Sequence, residues 1–214
     1  MTPNKEDYLK LIFEIGGDTQ LVSNKQIVAG MHVSAASVSE MINKLGEEKL
    51  VAHMPYQGIQ LTSAGRKKAA ILVRNHRLWE VFLVQCLKYP ADAVHQEAEK
   101  LEHALTPEMA KRLSAMLGEP RYCPHGGVIP DANGHYLQQS RVTLGTLDVG
   151  QSGHIERVID EVSLIDYTVK IDLRLDDEFT VTAKTLDAVI IKLARTGKEL
   201  AVDADRADHI FVEL

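Results

Sequence analysis

SNKQIVAGMHVSAASVSEMINKL, residues 23–45, contains two helix starts separated by a turn. Ser23, followed three residues later by Gln26, is the pattern of a capping box, and Gly30 is placed to end the first helix. Ser34 is a second N-cap, and apolar side chains follow it at the spacing of an amphipathic helix. Two short helices across a turn that contains Gly are typical of a helix-turn-helix. We therefore predict a helix-turn-helix at the centre of the N-terminal domain.

The exposed side of the second helix carries small, amide and charged side chains, which are the types that reach base edges in the major groove. Two strand-like runs follow, joined by Tyr56-Gln57-Gly58, and together they indicate a hairpin wing. The residues that we predict to contact DNA are Lys25, Ser34, Ala35, Ser37, Ser39, Glu40, Asn43, Lys44 and Tyr56. An ordinary helical bundle with a surface hairpin is the alternative, because helix-turn-helix patterns also arise by chance.

The charge of the chain changes along its length. The 214 residues carry a formal net charge of -6, which taken alone argues against nucleic acid as a partner. Residues 1–77 nevertheless carry 10 basic and 7 acidic side chains, whereas residues 143–214 carry 8 basic and 15 acidic ones. A basic N-terminal part and an acidic C-terminal part predict modules with separate tasks.

The composition predicts a folded, cytoplasmic protein. Apolar residues make up 45% of the chain, whereas disordered chains combine low hydrophobicity with high net charge. No apolar run reaches the roughly 20 residues that span a bilayer, and the first residues are polar and acidic, unlike a signal peptide. Two cysteines, Cys86 and Cys123, are too few for a disulfide framework. We expect no membrane partner.

The middle of the chain concentrates side chains that can ligate a metal. His76 and Glu80 stand one turn apart in a long helical pattern at residues 62–88. A second helical pattern, residues 92–105, places four ligand-type side chains within an arc of about 100° beside an apolar stripe. These four are His95, Glu99, Glu102 and His103. Cys123-Pro124-His125 then places a thiol and an imidazole two residues apart in a loop. Together these groups predict a divalent-cation site.

Each of these groups also has a structural interpretation. A helix face of carboxylates and imidazoles is usually solvated. A single His such as His76 is usually a surface or hydrogen-bonded core residue, and Cys123 can be a small buried hydrophobic side chain. The residues by themselves leave both interpretations open.

The C-terminal part of the chain has the pattern of a small β module. Strand-like runs occur at residues 169–173, 179–183, 188–194 and 209–212. Gly145, Gly150 and Gly153 are placed at turns before these runs. These runs predict a small β-barrel.

Five short motifs spread over the chain are, taken together, specific enough to indicate a protein family. They are PNKEDYL (residues 3–9), VSAASVS (33–39), LTSAG (61–65), EAEKLEH (97–103) and CPHG (123–126). In this combination the chain resembles the diphtheria toxin repressor family of metal-dependent transcriptional regulators, in its manganese-sensing branch. The resemblance implies a mainly α fold with a small β part. Its three domains are a winged helix-turn-helix DNA-binding domain (1–72), a helical metal-binding and dimerisation domain with an ordered loop (73–141) and an SH3-like β-barrel domain (142–214).

The resemblance also implies two metal sites per chain. One consists of Glu80, Cys123, His125 and Asp160. The other consists of Asp7, Glu99, Glu102 and His103, with His76 able to serve either site and His95 matching a ligand of a related branch. Two positions depart from the family pattern. Lys10 stands where some manganese sensors have a carboxylate, which speaks against a tight two-metal cluster, and Glu99 replaces a Cys of iron-sensing members, which favours manganese.

The function implied by the resemblance is manganese-dependent repression in metal-ion homeostasis. A metal-loaded homodimer is expected to bind an inverted-repeat operator in double-stranded DNA, with no enzymatic activity and no organic ligand. Manganese(2+) is the expected cofactor, and iron(2+), zinc(2+) or cadmium(2+) are expected to bind in vitro. The alternatives are an iron- or zinc-responsive regulator, a winged-helix regulator that senses an organic ligand, and a metallohydrolase.

Overall fold

The computed structural model describes residues 1–159 and 161–214, so that Asp160, a predicted metal ligand, lies outside the described residues. The chain divides into two units. The first comprises Met1–Trp79, Glu99–Glu119 and Ile129–Tyr136, and the second comprises Glu80–Ala98, Pro120–Val128 and Leu137–Leu214. In the described ranges, no helix has the length and apolar character needed to cross a membrane.

The first unit begins with three helices and a hairpin. The helices are α1 (Pro3–Ile12), α2 (Asn24–Met31) and α3 (Ala35–Glu47), and the antiparallel hairpin consists of β1 (Val51–Met54) and β2 (Gly58–Leu61). The rest of this unit comes from the part of α4 (Ser63–Gln85) up to Trp79, the end of α5 (Val94–Glu102), α6 (Pro107–Met116) and the segment Ile129–Tyr136. Three helices followed by a hairpin are the predicted winged helix-turn-helix, which is confirmed.

Capping interactions explain where α2 and α3 begin. The backbone N–H of Gln26 donates to Ser23 Oγ at 3.3 Å, and the backbone N–H of Ser23 donates to Gln26 Oε1 at 2.9 Å. The predicted capping box is therefore formed. Ser34 caps α3 in the same manner, because its Oγ accepts from the Ser37 N–H at 3.2 Å.

Gly30 has a different role from the predicted one. It does not end α2, which continues to Met31 and stops at His32 in the left-handed region (φ 52°). A Cβ added at Gly30 would lie 2.6 Å from the side chain of Leu11. Gly30 therefore allows α2 to pack closely against α1.

A single apolar core holds the winged helix together. Its most buried members come from all three helices and from the strands, and they include Leu9, Ile12, Ile27, Val38, Ile42, Leu45, Leu50 and Ile59. Val22 extends the hairpin, since its N–H and C=O each pair with Ile59 at 2.8 Å. Burial of the Val38–Ile42–Leu45 stripe leaves the opposite side of α3 exposed.

The second unit contains a five-stranded antiparallel sheet with strand order β6-β5-β4-β3-β7. Its strands are β3 (Ser152–Val158), β4 (Glu178–Lys184), β5 (Ala188–Leu193), β6 (Glu199–Asp203) and β7 (Ile210–Glu213). Two helices accompany the sheet, α7 (Val162–Lys170) and α8 (Ala204–Ala207). The core between these elements is apolar and includes Leu144, Ile155, Phe179, Ile191, Val202 and Ile210.

Two predictions for the C-terminal part need correction. The sheet is open, since no pairing joins β6 to β7 among the described residues, so the module is not a closed barrel. The chain leaves β6 directly into α8, which packs against β5 and β6 instead of continuing as strand. The run predicted as a strand at residues 169–173 is the end of α7 and a turn in which Asp172 has φ 56°.

Candidate metal centre

Among the described residues, two clusters of ligand-type side chains each occur within a single unit. One consists of Glu80, Cys123 and His125, and the other of Asp7, Glu102 and His103. In each cluster, one ligand atom per residue lies within 4.8 Å of the others. Both clusters combine residues that are far apart in the sequence.

A short turn presents Cys123 and His125 in the second unit. The Cys123 N–H donates to Gly127 O at 2.9 Å, and the Gly126 N–H donates to Cys123 O at 3.0 Å. Gly126 has φ 83°, and a Cβ there would lie 2.3 Å from the backbone oxygen of Glu156. Only Gly fits this position, because the φ is left-handed and the backbone of β3 is so close. The CPHGG pattern therefore fixes the direction of both ligands.

His125 is oriented by a backbone carbonyl. Its Nε2 lies 2.9 Å from Ala91 O, which can only accept a hydrogen bond, so Nε2 carries the proton in this arrangement. The other ring nitrogen, Nδ1, lies 3.2 Å from Glu80 Oε1. Metal-ligating His residues are commonly held in this way, with one nitrogen on a carbonyl and the other on the ion.

The burial of this cluster favours a cation. Glu80 is 0% exposed, Cys123 5% and His125 4%. A carboxylate removed from water is costly unless positive charge or hydrogen bonds compensate it. One carboxylate oxygen, one thiol sulfur and one imidazole nitrogen form a donor set that fits a divalent transition-metal ion. His95, whose Nδ1 lies 3.7 Å from Glu80 Oε1, is next to this cluster.

The second cluster joins α1 to the end of α5. His103 Nε2 lies 3.0 Å from Asp7 Oδ1 and 3.7 Å from Glu102 Oε1. The other ring nitrogen, Nδ1, lies 2.6 Å from Glu6 Oε2. Glu6 thus orients the imidazole, although the sequence alone does not predict this role. Two carboxylates and an imidazole form an oxygen-rich set suited to a harder divalent cation.

The two carboxylates of this cluster differ in their electrostatics. Burial raises the pKa of Asp7, and the neighbouring His103 offsets this only in part. Burial also acts to raise the pKa of Glu102, but the hydrogen bond with His76 and the charge of Lys10 outweigh it and lower the pKa overall. Glu102 is therefore held ionised inside the protein, where it can attract a cation.

The remaining predicted ligands have distinct positions. His76 is 1% exposed, and its Nδ1 contacts Glu102 Oε2, so it borders the Asp7–Glu102–His103 cluster. The side chain of Glu99 is 54% exposed and lies 3.8 Å from the ammonium of Lys10. Glu99 is not among the three residues of that cluster.

The residues predicted to contact DNA are all exposed. Tyr56 at the tip of the wing is fully exposed and has φ 62°. The hydroxyls of α3 are partly engaged, since Ser34 caps the helix and Ser39 Oγ donates to Ala35 O at 2.9 Å. Lys44 pairs with Glu40 at 2.6 Å on the same face. The other members of the exposed set are Lys25, Ser37 and Asn43.

Comparison with known proteins relates all three parts of the chain to metal-dependent repressors. Residues 1–59 match the iron dependent repressor N-terminal DNA binding domain, residues 62–131 match the iron dependent repressor metal binding and dimerisation domain, and residues 142–214 match the FeoA domain. The Diphtheria toxin repressor of Corynebacterium diphtheriae is 26% identical over 205 residues, which are 96% of this chain and 86% of that protein.

Solved structures give the same relationship. The manganese regulator SloR is 40% identical with a TM-score of 0.86, covering 100% of this chain and 99% of that one. ScaR, in structures with bound Zn2+ and with bound Cd2+, is 33% identical with a TM-score of 0.86, covering 98% and 99%. The winged helix, the ligand clusters and these matches lead to one conclusion: the chain belongs to the diphtheria toxin repressor family of metal-dependent transcriptional regulators.

Proposed function

We propose that this protein is a manganese-dependent transcriptional repressor that acts in the cytoplasm and controls metal-ion homeostasis. The observation that carries the proposal is the 3.0 Å contact between Asp7 Oδ1 on α1 and His103 Nε2 after α5. A cation held by both residues would neutralise the carboxylates and tie the first helix of the winged helix to the end of α5. Metal occupancy would thereby restrict the orientation of the DNA-reading helix.

Two ion positions are proposed in each chain. Glu80, Cys123 and His125 would hold one ion, with Asp160 added on the family resemblance and His95 next to it. Asp7, Glu102 and His103 would hold the other, with Glu99 and His76 in support. Each ion would supply positive charge that holds together ligands from distant segments of the chain. Neither ion would need to react with a substrate. SloR, a manganese regulator, supports manganese, and the zinc and cadmium complexes of ScaR support binding of softer ions in vitro.

The exposed side of α3 is the proposed DNA-reading surface. Asn43 and Ser37 have side chains able to bond with base edges, whereas Lys25 and Lys44 are suited to phosphates. Tyr56 at the wing tip is fully exposed, so packing within the protein does not explain a large aromatic side chain at this position. We propose that it contacts the DNA backbone or the minor groove beside the recognition helix.

We further propose a homodimer that binds an inverted repeat. Residues 62–131 match a domain described as metal binding and dimerisation. α6 exposes Met109 (47%) and Met116 (61%), which a second copy would cover. A two-fold dimer presents two α3 helices to two half-sites related by the same symmetry. On this proposal the chain consists of domains at residues 1–72, 73–141 and 142–214.

A manganese titration of DNA binding tests the proposed function. The probe is inverted-repeat DNA that the manganese-loaded protein has selected from a random pool. We expect manganese to strengthen binding by a factor within about 5–150, the usual range of allosteric coupling. Asp7→Ala should reduce this factor to near one without changing metal-free binding. Glu199→Ala, which removes an exposed carboxylate on β6, is the matched control. Unchanged manganese dependence in Asp7→Ala would contradict the proposal.

A further inference from the structure

Lys10 is a buried lysine beside the Asp7–Glu102–His103 cluster. It follows Asp7 by one turn of α1 and is only 5% exposed. Lysines are almost never buried to this extent unless they are paired, because desolvation of an ammonium is costly. The surroundings of Lys10 must therefore compensate its charge.

Acidic and imidazole groups surround the Lys10 ammonium. Nζ donates to Glu102 Oε2 at 2.8 Å and lies 3.0 Å from His76 Nδ1 and 3.8 Å from Glu99 Oε1. A buried ammonium is ordinarily accommodated by such an ion pair, here with Glu102, whose side chain is only 1% exposed. The Lys10 ammonium thus occupies a fixed position among these groups.

The two oxygens of Glu102 serve different neighbours. Oε2 accepts the hydrogen bond from Lys10 and contacts His76, whereas Oε1 lies 3.7 Å from His103 Nε2 on the side of Asp7. One carboxylate therefore lies between a fixed ammonium and the place proposed for a divalent ion. The groups around the ammonium, His76, Glu99 and Glu102, are themselves ligand types for a second ion.

We propose that Lys10 is a built-in second cation of the Asp7–Glu102–His103 site. Its ammonium holds Glu102 by Oε2, leaves Oε1 directed at the divalent ion, and occupies the position where a second ion would bind. The site then takes one divalent ion per chain. This inference rests on the proposed function, since it assumes that the cluster binds metal.

Removal of the ammonium should open the second position. Lys10→Glu leaves His76, Glu99 and Glu102 without their positive neighbour and adds one carboxylate to them. We expect this variant to bind one more Mn2+ per chain than the wild-type protein in equilibrium dialysis. In this variant Glu102 would bridge the two ions. The electron paramagnetic resonance spectrum of manganese-loaded Lys10→Glu should therefore show a spin-coupled manganese pair that the wild type lacks.

Three further variants make the result specific. Lys10→Arg keeps a cation at this position and should keep the wild-type stoichiometry. Lys5→Glu makes the same charge change on α1 at a more exposed residue, which pairs with Glu48, and should also keep it. Lys10→Gln removes the charge without adding a carboxylate, so we expect it to bind the extra ion more weakly than Lys10→Glu does. It replaces Lys10→Glu in the test if that variant does not fold.

Different results would separate this inference from the proposed function. Wild-type stoichiometry in both folded Lys10→Glu and folded Lys10→Gln overturns the role of Lys10 while leaving manganese binding intact. An extra ion in the Lys5→Glu control also overturns it, since general charge would then explain the gain. Absence of any Mn2+ from the wild-type protein overturns both proposals.

Discussion

Asp177 shows how a buried carboxylate stabilises the C-terminal module. It is 5% exposed and accepts hydrogen bonds from Arg195 Nε at 2.6 Å and from the Arg174 backbone N–H at 2.9 Å. Burial acts to raise the pKa of Asp177, but these hydrogen bonds and the arginine charges outweigh it and lower the pKa overall. A carboxyl group whose pKa is lower in the folded state stabilises the fold above its unfolded pKa, and this stabilisation is lost as the pH falls through the folded pKa.

Asp177→Asn should therefore destabilise the protein most at neutral pH. We expect a loss of about 1–3 kcal/mol at pH 7, the usual range for hydrogen bonds to a charged group. The difference from the wild type should begin to shrink below roughly pH 4, where the carboxyl group of the unfolded chain becomes protonated, and should disappear only below the lowered pKa of folded Asp177. Thermal unfolding in the presence of a chelator measures this difference. Asp205→Asn, at an exposed residue of α8, is the matched control and should unfold like the wild type at pH 7. A destabilisation by Asp177→Asn that stays constant at all pH values would refute the assignment.

Individual ligands differ in how well the sequence reveals them. Cys123 and His125 are predictable because two ligand types stand two residues apart in a turn that Pro and Gly restrict. Glu6 is not predictable, since it is adjacent to Asp7 and only the position of His103 in space decides which oxygen meets which ring nitrogen. The burial of Lys10 is equally hidden, because a lysine on an amphipathic helix ordinarily reaches solvent.

The segment Ile129–Tyr136 is an element without regular secondary structure that packs on the winged helix within the first unit. Arg74 Nη1 donates to Pro130 O at 2.6 Å, and the Tyr136 hydroxyl donates to Asp18 Oδ2 at 2.6 Å. The Tyr136 ring also meets the Phe13 ring edge-on, with 5.0 Å between centroids. These contacts attach the segment to the helices of the first unit.

Tyr136→Phe should weaken this attachment selectively. The ring contact with Phe13 is retained, whereas Asp18, which is 3% exposed, loses a hydrogen-bond donor. Loss of one partner of a buried polar group typically costs about 1–3 kcal/mol. We expect the melting temperature, measured by circular dichroism, to fall by the amount that corresponds to this loss of free energy of unfolding. Tyr122→Phe, at a residue that is 51% exposed, should melt like the wild type; equal stability of the Tyr136→Phe protein would show that the hydroxyl contributes nothing.

Elements were predictable where local signals and tertiary packing agree. The capping box at Ser23 and the N-cap at Ser34 lie where the apolar spacing also begins, so both helix starts are as predicted. In α7 the two disagree. Val169, Ile171 and Leu173 alternate like a strand, yet Leu164, Ile165 and Thr168 are buried at helical spacing, and the core selects the helix. The sequence likewise does not predict that the sheet is open, because strand patterns do not specify whether the two edge strands pair with each other.

The charge of the whole chain changes with metal occupancy. Two divalent ions would bring the formal net charge from -6 to -2, before any ionisation of Cys123. The ion proposed at Asp7 would act within the basic N-terminal part, where residues 1–77 already carry a small excess of positive charge. Added positive charge there reduces repulsion of phosphates, and a fixed α1 orients the DNA-reading surface. Metal and DNA should therefore bind cooperatively.

Cooperativity of this kind must be reciprocal. If saturating manganese lowers the dissociation constant for selected inverted-repeat DNA by a given factor, that DNA must lower the free manganese needed for binding by the same factor. Trp79, the only tryptophan and the neighbour of Glu80, is a probe for the manganese titration by fluorescence, and calorimetry provides a second readout. We expect equal factors for the wild-type protein and factors near one for Asp7→Ala. If the selected DNA lowers the free manganese needed by the same factor in Asp7→Ala as in the wild type, the two ligands are not coupled through Asp7, because a conformational change that depends on this ligand would be lost with it.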